Sequence, residues 1–134
     1  MKNIIITLLA AIALLTSCEV NFPTVSPDEF ELMLSEPEVQ LIDARRDDEV
    51  ALGYIAGSMH IDVLQPGFKK KAISVLDRNR KVLVHCQSGK RGAKAAEILK
   101  RAGFDVYNLE GGFNAWTEAG KPYLVPEKET FPAD

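Results

Sequence analysis

Cysteine and histidine are scarce in this chain: two of each occur among 134 residues, and no segment is repeated or biased in composition. So few cysteines exclude a disulfide-stapled miniprotein and a cysteine-rich zinc site. The two histidines do not have metal-ligand spacing, so neither a metal nor another cofactor is expected. The length and the apolar content of 46% fit one globular domain and exclude a two-domain enzyme.

Basic residues are not in excess, because 16 lysines and arginines are outnumbered by 19 acidic residues. With no basic stripe interleaved with aromatics, nucleic acid is not an expected partner. The charge is nevertheless uneven: residues 19–62 hold eleven acidic and two basic residues, and residues 69–101 hold the reverse. The basic block surrounds Cys86, and it is either a solvated face or a positive field that attracts anions.

A hydrophobic run long enough to span a membrane is also lacking. Ile4–Leu15 is apolar except for Thr7, but it would extend only about 18 Å as a helix, against about 30 Å of hydrocarbon. Lys2 precedes this run, and Leu15-Thr16-Ser17-Cys18, which resembles a bacterial lipobox, ends it. We therefore expect a lipoprotein signal peptide over residues 1–17. A plain secretory signal that ends beside a cysteine is the alternative.

The lipobox also predicts where the protein resides. Lipid on Cys18, followed by a tether over residues 18–25, would anchor the chain to a membrane of the bacterial cell envelope, on its periplasmic face or at the cell surface. Cys86 would then be the only thiol of the mature chain. Because compartments outside the cytoplasm favour paired cysteines, such a lone thiol is either buried and inert or chemically used.

Hydrophobic patterning predicts alternating strands and helices through residues 26–122. The predicted strands are Val39–Ile42, Met59–Ile61, Val82–His85 and Val106–Leu109, and the predicted helices are Pro27–Ser35, Asp47–Leu52, Phe68–Leu76, Arg91–Arg101 and Asn114–Glu118. This alternation is typical of an α/β fold with a mostly parallel sheet covered by helices on both faces. Residues 123–134 are expected to form a C-terminal tail.

The segment Cys86-Gln87-Ser88-Gly89-Lys90-Arg91 lies where the most apolar strand passes into a helix. Backbone N–H groups of such a loop converge on one point, and the helix N-terminus adds positive potential there. We expect this loop to stabilise the Cys86 thiolate as a nucleophile, with Lys90 attracting an anion and Arg91 holding the loop by bonds to carbonyls or a carboxylate. The competing interpretation is a small buried hydrophobe at a strand end.

Four motifs, taken in order, resemble those of single-domain rhodanese-like sulfurtransferases. They are Leu41-Ile42-Asp43-Ala44-Arg45, the segment Gly53–Ile61, the Cys86–Arg91 loop, and Asn108–Trp116 followed by Gly120-Lys121-Pro122. The resemblance implies a three-layer α/β fold with a mostly parallel five-stranded sheet over residues 26–122. It also implies that Cys86 accepts a sulfane sulfur from thiosulfate, a polysulfide or a persulfide. The sulfur would then pass to an acceptor, which is a thiol, cyanide or an acceptor protein.

Two other functions remain open. Cysteine phosphatases carry His-Cys, five residues and Arg, whereas only four residues separate Cys86 from Arg91, and a shorter loop suits one sulfur atom better than a phosphate. A catalytically silent interaction module on the same fold is the second alternative.

The residues around the loop are expected to be structural. Asp43 and Arg45 are expected to form an ion pair beneath the loop, although a role of Asp43 or Asp47 as a general acid stays open. His85 and His60 are expected to be hydrogen-bonded core histidines, and Trp116 is expected to anchor the last helix.

Overall fold

The computed structural model describes residues 19–127, so the predicted signal peptide and lipidation site Cys18 lie outside the described residues. The strands are β1 Thr24–Val25, β2 Gln40–Asp43, β3 Ser58–His60, β4 Val82–His85 and β5 Val106–Leu109. The helices are α1 Pro27–Leu34, α2 Asp47–Val50, α3 Phe68–Val75, α4 Lys90–Arg101 and α5 Gly112–Glu118. Within residues 19–127, no helix has the length and apolar character needed to cross a membrane.

The five strands form one sheet in the order β1-β5-β4-β2-β3, and every neighbouring pair is parallel. The four strands predicted from the sequence are confirmed, with ends shifted by one residue at β2 and β3. β1 was not predicted, because its two residues are too few to give a periodic hydrophobic signal, and the sequence assigned them to the tether. β1 is held by backbone bonds from Asn108 to Pro23 and from Glu110 to Val25, so the sheet begins inside the segment assigned to the tether.

The sheet separates two hydrophobic clusters, which confirms the three-layer fold. Successive residues of β4 point to opposite faces, so Val84 packs beneath α3 and α4 while Leu83 packs beneath α1 and α5. Phe30 of α1 and Trp116 of α5 meet edge to face on the second side, with ring centroids 6.1 Å apart. Trp116 is 1% exposed and is the core anchor that the sequence predicted.

The first residues of the predicted C-terminal tail, residues 123–134, contact the folded domain. Tyr54 and Leu124 exchange two backbone hydrogen bonds of 2.8 Å in an isolated antiparallel bridge. The Tyr123 ring packs edge to face on Phe113, with centroids 5.6 Å apart. Sequence patterning could not show this, because a single bridge has no periodicity.

Parallel strands bring their carboxyl ends to one edge of the sheet. β4 is the central strand and ends at His85, so Cys86 follows it directly. β2 lies beside β4 and ends at Asp43, while β5 lies on the other side and ends at Leu109. The fold therefore places the cysteine loop between the ends of its two neighbouring strands.

Candidate active site

Cys86 is a free thiol beneath its own loop, with 0% relative exposure. The backbone N–H of Gly89 donates to its Sγ at 3.1 Å. Gly89 has φ of 103°, a left-handed conformation that glycine adopts without strain, and it directly precedes α4. The loop therefore turns at least one N–H group onto the sulfur, as the sequence predicted, and α4 begins at Lys90 rather than Arg91.

Two carbonyl oxygens of the loop, those of Cys86 and Gln87, accept hydrogen bonds from the start of α5. Phe113 N donates to Cys86 O at 2.7 Å, and Asn114 N donates to Gln87 O at 3.0 Å. Gly112 makes this approach possible, because a Cβ at its φ of 59° would collide with the Cys86 and Gln87 backbone. α5 thus begins two residues before the predicted Asn114, and its first turn fixes the orientation of the loop.

Asn108 is a site residue that the sequence analysis did not assign. It is 2% exposed on β5, and its Nδ2 donates to Gly89 O at 3.3 Å. Gly92 lies so close to the Asn108 amide and to Cys86 N that a side chain there would collide. A polar residue inside an otherwise apolar strand was the available signal, since a buried amide needs a partner.

Asp43 and Arg45 form the predicted buried ion pair, with Nη2 of Arg45 2.7 Å from Oδ2 of Asp43. Arg45 Nη2 also donates to Gly53 O at 2.7 Å, and its guanidinium lies 4.2 Å over the Phe113 ring. Burial, the largest single effect, raises the Asp43 pKa, but the hydrogen bonds and charge of Arg45 and the electrostatic interaction with His85 together hold the Asp43 pKa below its ordinary value. Both side chains of the pair are therefore ionised, and their opposite charges cancel.

The Gln87 side chain connects this pair to the loop. Arg45 Nη1 donates to Gln87 Oε1 at 3.0 Å, and Gln87 Nε2 donates to Asn114 Oδ1 at 2.6 Å. Both ends of the amide are thus occupied. The sequence placed Gln87 in the loop but did not predict either contact, because Arg45 and Asn114 are distant in the chain.

His85 is a buried histidine on β4, as predicted, with Nδ1 3.3 Å from Cys86 O. Burial lowers its pKa below the ordinary 6.5, so the ring is neutral at pH 7 and its 3.5 Å approach to Asp43 is not an ion pair. The expectation that His60 is a core residue is wrong. His60 has a 29% exposed side chain at the end of β3, and its Nε2 lies 2.6 Å from Arg45 O.

Arg91 binds a carboxylate, which is one of the two roles predicted for it. Its Nη1 and Nη2 donate to the two Glu49 oxygens at 2.6 and 2.8 Å. The hydrogen bond from Arg91 is the main reason that the Glu49 pKa is lowered. Glu49 was not predicted as a site residue, because only the tertiary fold brings α2 to α4.

Lys90 and Ser88 are exposed at the mouth of the loop. Within residues 19–127 no carboxylate lies within salt-bridge distance of Lys90, so its ammonium group is available to an anion. Asp47 is 98% exposed and contacts His60 rather than the loop. Asp43 is occupied by Arg45, so the general-acid roles left open for these two aspartates gain no support from the geometry.

The fold and the site define a class of protein: a parallel α/β domain whose central strand ends in a cysteine loop that leads into a helix. The model of the family described as "Rhodanese-like domain" matches residues 26–119. This chain belongs to that family.

Relatives with different names share this domain. The Bacillus subtilis (strain 168) protein named "Putative sulfurtransferase YtwF" is 35% identical over 92 residues, which are 69% of this chain and 86% of the relative. A rhodanese-related protein from Thermoplasma volcanium superposes with a TM-score of 0.69 at 26% identity, covering 78% of this chain and all of the other.

A third relative is a larger protein. The tRNA uridine(34) hydroxylase of Aster yellows witches'-broom phytoplasma (strain AYWB) is 36% identical over 93 residues, or 66% of this chain. The match spans only 30% of that hydroxylase, so the two share a domain.

Proposed function

We propose that this protein is a sulfurtransferase that carries a sulfane sulfur as a persulfide on Cys86. The observation that carries the proposal is the Gly89 N–H group directed at Cys86 Sγ, within a loop whose Cys86 and Gln87 carbonyls accept hydrogen bonds from α5. A thiolate, and the persulfide anion that replaces it, are both stabilised by such a donor. The sulfurtransferase name of the Bacillus subtilis relative supports the same chemistry.

The proposed cycle has two displacement steps. With thiosulfate, S₂O₃²⁻ and Cys86–S⁻ give Cys86–S–S⁻ and SO₃²⁻: the thiolate attacks the outer sulfur, the S–S bond of thiosulfate breaks, and sulfite leaves with the electron pair. An acceptor such as cyanide then attacks the outer sulfur, giving thiocyanate and regenerating Cys86–S⁻. Neither step needs a general acid, because no atom requires protonation.

The phosphatase alternative is less well supported by the geometry. A phosphatase of this kind needs a loop arginine that is free to hold a phosphate, whereas Arg91 is taken by both oxygens of Glu49. The complete burial of Cys86 favours the alternative of a catalytically silent module, because a sulfur donor can reach Cys86 Sγ only if the cysteine loop moves. Sulfur uptake distinguishes these functions.

Intact-mass spectrometry after exposure to thiosulfate, a polysulfide and glutathione persulfide tests the proposal. The expected result is a gain of one sulfur, about 32 Da, that is reversed by a thiol reductant and absent from Cys86→Ala. If the wild-type protein gains no sulfur from any of these donors while remaining folded, the silent-module alternative replaces the proposal. Hydrolysis of an aryl phosphate at an ordinary enzymatic rate would favour the phosphatase instead.

We also propose that Cys18 is lipidated and holds the domain at a membrane of the bacterial cell envelope. The lipobox resemblance supports this, and β1 begins only six residues after Cys18, so the domain would lie close to the lipid surface. Cys18→Ser should abolish labelling by a fatty-acid analogue and release the protein from membranes. Unchanged membrane attachment of Cys18→Ser would contradict lipid anchoring. Cys86→Ser is the matched control, which should leave labelling intact.

A further inference from the structure

The helices on the two sides of the sheet differ in charge. Over the ranges given above, α3 and α4 carry eight basic residues and one acidic residue, whereas α1 and α5 carry four acidic residues and no basic one. Because α3 and α4 cover one face of the sheet and α1 and α5 cover the other, the domain has a basic and an acidic side. We propose that the basic side lies against the anionic phospholipid headgroups of a membrane and orients the domain there.

Five exposed lysines of α3 and α4 form the surface that we call the basic face: Lys69, Lys70, Lys71, Lys94 and Lys100. In the part of the chain that the structure describes, none of the five is paired with a carboxylate. The two arginines of α4, by contrast, each pair with a glutamate. The charge of the five lysines is therefore available to an external anion.

The packing of both helices turns the basic face outward. Lys70 lies midway between Phe68 and Ala72, which are buried against the sheet. Lys94 lies midway between two buried residues of α4 in the same way. Two positions correspond to about 200° around an α-helix, so both lysines point away from the sheet. They belong to one layer of helices and can meet a flat surface together.

The N-terminal segment enters the domain on this same side. Phe22 packs against the hydrophobic cluster that lies between the sheet and helices α3 and α4. The four residues from Cys18 to Phe22 span at most about 14 Å. A lipid on Cys18, as proposed above, would therefore enter a membrane beside the basic face. The inference rests on that proposed anchor only for the choice of a membrane as the occupant.

An anionic surface suits both sides of the domain. Each basic residue near such a surface strengthens binding about fivefold, so several lysines act together. The acidic residues of α1 and α5 are repelled by the same headgroups, so charge also determines which side faces the membrane. The acidic side then faces the solution.

Vesicle sedimentation tests the inference without the lipid. The described strands, helices and both hydrophobic clusters lie within residues 19–127, so a chain of residues 19–134 keeps the whole described fold and lacks Cys18. This chain should bind vesicles of phosphatidylglycerol and phosphatidylcholine in about equal parts, but not vesicles of phosphatidylcholine alone. Binding should be lost at about 1 M salt, where the Debye length is about 3 Å.

Lys70→Gln combined with Lys94→Gln should lower the partition coefficient about 25-fold, because each lost charge contributes about fivefold. Lys81→Gln combined with Lys121→Gln is the matched control. It changes the net charge equally, but Lys81 pairs with Glu36 and Lys121 pairs with carboxylates of α1. Its partition coefficient should stay close to that of the unsubstituted chain. Circular dichroism shows whether each variant is folded.

Equal losses in the two double variants, or equal binding to the two kinds of vesicle, would overturn the inference. Binding to a nucleic acid or an acidic peptide without binding to vesicles would also overturn it, and would assign the basic face to that partner. None of these results depends on lipidation or on sulfur uptake. Failure of the lipid anchor appears instead in the labelling of Cys18→Ser, and failure of sulfur transfer in the intact mass.

Discussion

Arg45 and Gln87 are joined by a hydrogen bond of 3.0 Å although 42 positions separate them in the chain. The Nε and Nη2 donors of the Arg45 guanidinium are taken by Asp43 and by the carbonyl of Gly53. A single buried cation thus connects the end of β2 to the residue that follows Cys86. The cysteine loop is therefore held in place by the hydrogen bond from Arg45 to Gln87 as well as by backbone hydrogen bonds from α5.

Removing this cation should destabilise the whole domain. Arg45→Ala leaves Asp43 buried without its counter-ion, and breaking a buried pair in this way costs about 3 to 5 kcal/mol of unfolding free energy. Urea denaturation measures the loss. Arg46→Ala is the control, because Arg46 is half-exposed and pairs with the exposed Asp48, so its removal should change stability little. Equal effects of the two substitutions would contradict the structural role of Arg45.

The buried His85 should make stability depend on pH. Burial lowers the pKa of His85 in the folded protein from its ordinary 6.5, so below that pH the unfolded chain binds more protons than the folded one. The contribution of neutral, buried His85 to the free energy of unfolding should therefore be fully present above pH 6.5. The free energy of unfolding should fall as the pH decreases below that value. The lowered pKa of Asp43 adds a second loss, which begins only as pH falls through and below its ordinary 3.8.

Urea denaturation at about pH 7.5 and about pH 5.5 isolates the His85 contribution, because Asp43 remains ionised at both values. His85→Gln should reduce the difference in unfolding free energy between the two conditions. An unchanged difference in His85→Gln would show that another group carries the pH dependence.

Gly112 should be required for the shape of the loop. Gly112→Ala places a Cβ against the Cys86 and Gln87 backbone at positive φ, and strain together with overpacking costs about 2 to 5 kcal/mol. Gly120→Ala is the matched control, because Gly120 has φ of 70° but open space around it, so only the strain of about 1 to 2 kcal/mol applies. If both variants lose the same stability and retain the same sulfur uptake, α5 does not shape the loop.

Part of the site could be predicted from local sequence patterns, and part could not. The strands that surround the site, the Cys86 loop and the Asp43–Arg45 pair could all be predicted, because each is carried by a local pattern of apolar, glycine and charged residues. Glu49 and the partners of Gln87 could not be predicted. They are single residues that α2, the segment after β2 and α5 bring to the loop, and only the tertiary packing determines which polar side chains meet the loop.

Lys90 and Arg91 are neighbours in sequence but should differ in kinetics with thiosulfate. Lys90→Ala removes an exposed charge, so it should mainly raise KM and weaken its dependence on salt. Arg91→Ala breaks the link to Glu49 and displaces the N–H donors of the loop, so it should lower kcat, by a factor on the order of 10². Measurement at two ionic strengths separates the roles, and a kcat effect confined to Lys90→Ala would reverse them.

A single-turnover sulfur transfer tests the central claim most directly. Protein loaded with one sulfur and freed of donor should react with cyanide to give one thiocyanate per chain, and its mass should return to that of the unloaded protein. Cys86→Ala, treated identically, should give none. Retention of the added sulfur in the presence of cyanide and of thiol acceptors, or thiocyanate formation by Cys86→Ala, would contradict the account of Cys86 as the sulfur carrier.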